Sequence, residues 1–130
     1  MPEPPSPPPD PRHVFGRHGE HQAREWLEAR GWHVLAERFR VGRNEIDLIV
    51  RRGTVVAFVE VKARRGAGFG PGREAVGWRK QRAISRVAEI WRLRQGQPGD
   101  CYRFDVIEVV RATGVNRLVH IEDAWRLTYR

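Results

Sequence analysis

The chain has 130 residues, 40% hydrophobic and 31% charged, which is the size and composition of one globular domain that buries roughly two-thirds of its unfolded surface. No apolar run reaches membrane-span length, the start of the chain lacks the apolar segment of a secretory signal, and the single cysteine, Cys101, excludes an internal disulfide or a cysteine-built zinc site. The expectation is a protein of the reducing cytoplasm, with no membrane partner. The formal net charge is +8 and the excess is local: residues 62–94 carry 10 basic and 2 acidic groups, whereas the segments on either side are balanced. A positive field of that kind favours a polyanion, with nucleic acid ahead of an anionic membrane.

Residues 1–11 hold seven prolines and no apolar periodicity, which predicts a flexible arm ahead of a single domain over 12–130. From Gly16 to Arg30 the residues Ala23, Trp26, Leu27 and Ala29 recur at helical spacing, and Gly31 supplies a stop. Trp32–Phe39 reads as a short extended segment. Glu45–Arg51 alternates, with Ile46, Leu48 and Val50 on one strand face and Asp47 and Ile49 on the other. Arg52-Gly53 turns the chain into Thr54–Ala63, a hairpin. Residues 65–72 are dense in glycine and form a loop, without the Gly-Lys-Ser/Thr ending of a P-loop. Arg73–Arg94 reads as a long helix, or a turn followed by one, with the stripe Val76, Ala83, Ile84, Val87, Ala88 and Trp91, ended by Gly96, Pro98 and Gly99. Strands at Tyr102–Val110 and Leu118–Glu122 complete the order helix, three strands, helix, two strands. That order predicts an α/β domain with a central mixed sheet flanked by helices.

The chemistry centres on Phe58-Val59-Glu60-Val61-Lys62. Strand alternation sends Phe58, Glu60 and Lys62 to one face and Val59 and Val61 to the core. If this strand pairs with the preceding one through the turn near Gly53, Asp47 and Glu60 become lateral neighbours. Paired carboxylates repel unless a cation or proton sits between them, and Mg²⁺ or Mn²⁺ is the usual resolution. Lys62 then orients or deprotonates a water, or offsets charge on a phosphate. The plainer alternative is an ion pair of Glu60 with Lys62 on a solvated face. Glu20 on the first helix and Lys80 on the long helix both fall beside the packed stripes, so each helix delivers one charged group toward the sheet. Arginine fills 22 of the 24 basic positions, and the two lysines are Lys62 and Lys80. His18 and His21 lack a third ligand at zinc spacing, His21 reads as a solvated helix residue, and Cys101 reads as core or boundary packing. Asp105, within a strand, reads as capping a sheet edge or supporting the site indirectly.

The blocks Gly16-Arg17-His18-Gly19-Glu20, Asn44-Glu45-Ile46-Asp47-Leu48-Ile49, Phe58-Val59-Glu60-Val61-Lys62-Ala63-Arg64, Phe69-Gly70, Glu74-Ala75-Val76, Arg79-Lys80 and Arg103-Phe104-Asp105-Val106 closely resemble the YraN-like family of small bacterial proteins, over roughly residues 14–125. That family is similar in turn to the restriction-endonuclease-like superfamily, whose Asp…Glu-x-Lys core binds a divalent metal and cleaves phosphodiesters, and which includes archaeal Holliday-junction resolvases. The resemblance implies a restriction-endonuclease-like fold, Asp47, Glu60 and Lys62 as the core, Glu20 as the acidic residue of the first helix, and Lys80 as the lysine of the following helix. With three acidic groups converging beside one lysine, the expected metal is held by Asp47, Glu60 and the Val61 carbonyl, with Glu20 directly or through water. The family usually has glycine where Asn44 stands and asparagine where Arg38 stands.

The expected activity is metal-dependent hydrolysis of phosphodiesters in branched or structured DNA, with RNA left open as a second polymer. Arg64, Arg65, Arg73, Arg79, Lys80, Arg82 and Arg86 are the expected backbone contacts. Cutting both strands of a junction needs two active sites, which suggests a homodimer. The alternative is a non-catalytic nucleic-acid-binding protein using the same basic face, and an RNA- or envelope-associated scaffold ranks last.

Overall fold

Two tight turns, each with a glycine in the left-handed region (Gly42, φ 60°; Gly53, φ 62°), fold residues 33–65 into an antiparallel meander. The computed structural model describes residues 11–65, 76–112 and 114–126. Its elements are α1 (Pro11–Glu28), β1 (His33–Val41), β2 (Asn44–Arg52), β3 (Val55–Arg65), α2 (Trp78–Gln95), β4 (Cys101–Ala112) and β5 (Val115–Trp125). The strands form one sheet in the order β1-β2-β3-β4-β5. β3 and β4 are parallel and every other pair is antiparallel. A parallel pair needs a crossover, and α2 supplies it. The sequence-derived order and the mixed sheet flanked by helices are both present.

Each helix covers one face. Ala23 and Leu27 of α1 pack with Leu48, Val50, Ala57, Val59, Ile107 and Val109. Ile84, Val87, Ala88 and Trp91 of α2 pack with Ile49, Val56, Phe58 and Val106. α1 lies directly on β3 and β4 at Gly19, where a Cβ would make ordinary van der Waals contact with Ala63 (3.6 Å) and Val109 (3.7 Å). At the opposite end of the sheet, Asp100 fastens the turn into β4. It accepts hydrogen bonds from Arg51 (2.7 and 2.9 Å), the Gln97 N–H and the Tyr102 hydroxyl.

Three expectations need correction. The first helix already includes Pro11, the last residue of the expected arm, instead of starting at Gly16; proline is tolerated in a first turn, where its missing N–H would be unbonded anyway. Cys101 is exposed where the chain enters β4, not packed in a core. Ile46 does not share a face with Leu48 and Val50. It packs on the α2 side with Phe39 and Val41, while they pack on the α1 side with Val34. The β1–β2 ribbon turns over between the pairs Glu37↔Leu48 and Phe39↔Ile46. Arg38 and Asp47 lie between those pairs, and Arg38 adopts φ 50°, a left-handed geometry that breaks strand alternation. Residues 1–10 of the expected 1–11 arm, most of the glycine-rich loop, and Arg73 lie outside the described residues, as does the Arg65 side chain.

Candidate functional site

The site lies midway along β3, where β2 stops pairing with it, and the first turn of α2 reaches it through Lys80. The β2–β3 ladder stops at Leu48↔Val59, and the next pair in that register would set Asp47 opposite Glu60. Instead of continuing the ladder, the Val61 N–H donates to Asp47 Oδ2 at 2.8 Å. Glu60 is buried at 6% exposure, and its Oε1 lies 2.5 Å from Lys80 Nζ and 3.7 Å from Lys62 Nζ. Asp47, Glu60 and Lys80 line a cleft of about 230 Å³ together with Arg43, Asn44, Glu45, Ala83 and Ile84. Strand alternation and the helix stripe thus bring together four of the nominated residues, Asp47, Glu60, Lys62 and Lys80.

The electrostatics follow from that crowding. Burial, then the adjacent Glu60 charge, raise the Asp47 carboxyl to about 7, against the Val61 N–H, which lowers it; Glu20 adds to the rise. Burial lowers the Lys62 ammonium, helped by the hydrogen bond and charge of Lys80 and opposed by Glu60 and Asp47. Burial also disfavours charge on Lys80, but its bond and attraction to Glu60 outweigh that and raise it.

Glu20 is placed differently. Its carboxylate is held by Arg38, whose Nε and Nη2 both lie 2.8 Å from Oε2, and it lines a separate cavity with His21, Glu37, Arg38 and Leu48. Among the described residues no three His, Cys, Asp or Glu side chains gather as a metal cluster. The cleft's own donor set is hard oxygen, from the carboxylates of Asp47, Glu60 and Glu45 and the amide of Asn44, with no sulfur. That suits Mg²⁺ or Mn²⁺, which protein sites hold through one or two carboxylates, with water and substrate phosphate completing the shell.

Of the nominated basic residues, Arg79, Arg82 and Arg86 are exposed on α2 at i, i+3 and i+7, one stripe of the helix. Arg64 Nε lies 3.3 Å from Glu108 Oε1. Glu108, a buried carboxylate directly across from Lys62 on β4, was not singled out from the sequence, and Arg38 stood out there only as a departure from the family's usual asparagine. Asp105 is fully inside the fold: it accepts from Arg103 and the Asp123 N–H, and its Oδ2 lies 2.7 Å from His120 Nε2. His120 meets Trp26 and Trp32 edge-on, so this network ties α1 to β4 and β5. His21 is solvated, as expected, and lies 3.0 Å from Glu25. A larger cavity, about 790 Å³, opens at the other end of the sheet beside Phe58, Phe104 and Trp125, and its rim arginines 103 and 126 are paired with Glu122 and Asp123. No described helix is long and apolar enough to cross a membrane.

A model of the family described as "Uncharacterised protein family UPF0102" matches residues 19–109, and the chain belongs to that family. It is 41% identical over 103 residues to a UPF0102 protein of Nocardia farcinica, covering 79% of this chain and 81% of that one. It is 39% identical over 115 residues to one of Geobacter metallireducens (88% and 94%) and 44% identical over 95 residues to one of Caldicellulosiruptor saccharolyticus (73% and 80%). The family resemblance read from the sequence is borne out. Among solved structures, SfsA of Pyrococcus furiosus in complex with Ca²⁺ matches at 12% identity with a TM-score of 0.34, over 85% of this chain and 63% of that one. A likeness at that level carries no argument about the site.

Proposed function

We propose that this protein is a metal-dependent endonuclease with a restriction-endonuclease-like fold that hydrolyses phosphodiesters in branched or structured DNA. The observation that carries the reading is the meeting of Asp47 and Glu60 at a broken ladder, with Lys62 and Lys80 against Glu60. A pure polyanion binder gains nothing from two acids in the path of its ligand. Asp47 and Glu60 would hold Mg²⁺ or Mn²⁺, with the Val61 carbonyl and Glu20 as further candidate ligands. When bound, the ion supplies Lewis-acid stabilisation of the charge that builds on the phosphoryl oxygens. Lys80 keeps the Glu60 carboxylate aimed into the cleft through their ion pair. Lys62, with its ammonium pKa lowered, sits where it can orient the attacking water and meet developing negative charge. Arg79, Arg82 and Arg86, beside the cleft and along α2, would track the phosphate backbone. The contacts are of the positioning kind, so selectivity for structure over sequence is expected.

The test is cleavage of a panel of four-way junction, flap, single-stranded and linear DNA with Mg²⁺ or Mn²⁺. The wild type should cut a branched substrate, and both Glu60→Ala and Lys62→Ala should fail to. If all three proteins bind junctions and none cuts, the non-catalytic binding module replaces the nuclease.

A further inference from the structure

We propose that Arg38 is a latch on Glu20: in the free protein it holds the Glu20 carboxylate away from Asp47 and Glu60, so that Arg38 and a divalent cation compete for Glu20. The inference rests on the reading of Asp47 and Glu60 as a metal site. Three observations lead to it. Glu20 is close enough that its charge raises the Asp47 carboxyl, yet it lines a different cavity, where both Arg38 Nε and Nη2 lie 2.8 Å from one of its oxygens. Arg38 is placed there by the backbone: it occupies φ 50° at the point where the β1–β2 ribbon turns over, flanked by the same two pairs that flank Asp47. Its side chain also lies within the field of Glu45 and Asp47, two acids that line the cleft a cation would enter. The Arg38 and Glu20 side chains are 40% and 24% exposed, and an ion pair that open to water is readily exchanged.

The test is calorimetric titration of Mn²⁺ into full-length wild type, Arg38→Gln, Glu20→Gln and the double variant, with thermal melts to confirm folding. The latch predicts about fivefold tighter Mn²⁺ binding in Arg38→Gln, the low end of the usual range for coupled sites. It predicts little change in Glu20→Gln alone, and loss of the Arg38→Gln gain in the double variant. Arg38→Asn keeps the test available if the glutamine variant folds poorly, since asparagine tolerates a positive φ. Removing any positive charge near the cleft would strengthen cation binding through the general field. A gain that persists in full without Glu20 therefore overturns the latch. So does unchanged affinity in a folded Arg38 variant beside a wild type that binds Mn²⁺. Absence of Mn²⁺ binding in every protein overturns the metal site and the latch together.

Discussion

Asp47 illustrates how a single residue here serves the site at a cost to the fold. With its carboxyl raised to about 7, the native state binds this proton more tightly than the unfolded chain between about pH 4 and pH 7. Its contribution to stability therefore falls as pH rises through that window, and above it the penalty is on the order of a few kcal/mol. Asp47→Asn removes the ionisation while its amide oxygen can still accept the Val61 N–H. The variant should melt several degrees above wild type at pH 8 and lose that advantage at pH 4, as read by circular dichroism. A lower melting temperature at pH 8 would mean that the charge is stabilised and not penalised. Asp47, Glu60 and Lys62 were legible because strand alternation and the turn at Gly53 fix their neighbourhood. Arg38 was not: nothing in Glu37-Arg38-Phe39 signals a left-handed arginine, and the ribbon inversion that brings it beside Asp47 depends on two strands at once.

At the scale of elements, two features set how α2 and β5 are held. Gly96 ends α2 with its N–H bonded to the Arg92 carbonyl at 2.8 Å, and a Cβ there would lie 2.5 Å from that same oxygen and collide with the Tyr102 hydroxyl. Gly96→Ala should therefore cost about 1–3 kcal/mol in urea unfolding through collision, whereas Gly53→Ala meets no atom and costs about 1–2 kcal/mol through the strain of an alanine at φ 62°. The second feature is Asp105, at the register shift of β4 against β5. Burial disfavours its charge, but hydrogen bonds from His120, Arg103 and the Asp123 N–H outweigh burial and hold its carboxyl below the ordinary value. Its stabilisation is thus present above about pH 4 and is lost as pH falls through the lowered value, opposite in sign to Asp47. Asp105→Asn leaves Arg103 beside an uncharged, partly mismatched partner, and a loss of about 3–5 kcal/mol at pH 7 is expected by chemical denaturation. The order of elements was legible from periodicity and glycine stops. This network was not, because His120 reaches Asp105 only across a hairpin whose register shifts between them.

At the scale of the whole molecule, the segment that carries the charge excess, residues 62–94, begins on β3 beside the carboxylate pair and includes the N-terminal end of α2, whose Lys80 lines the same cleft. If that end holds nucleic acid, junction affinity should fall steeply with salt, and the triple variant Arg79→Ala, Arg82→Ala and Arg86→Ala should lower the slope of log affinity against log salt by about three. Salt-independent binding in a filter or anisotropy assay would place the contact elsewhere. The case for a polyanion comes from composition, the +8 net charge and its concentration in one segment. Whether two copies assemble is set by surface complementarity that no local pattern in one chain encodes. The central claim is that Asp47 and Glu60 together hold a divalent cation, and calorimetric titration of Mn²⁺ into wild type and Asp47→Asn tests it most directly. Binding by the wild type that is lost or at least tenfold weaker in Asp47→Asn is the result the account predicts; equal affinity in the two proteins would contradict it.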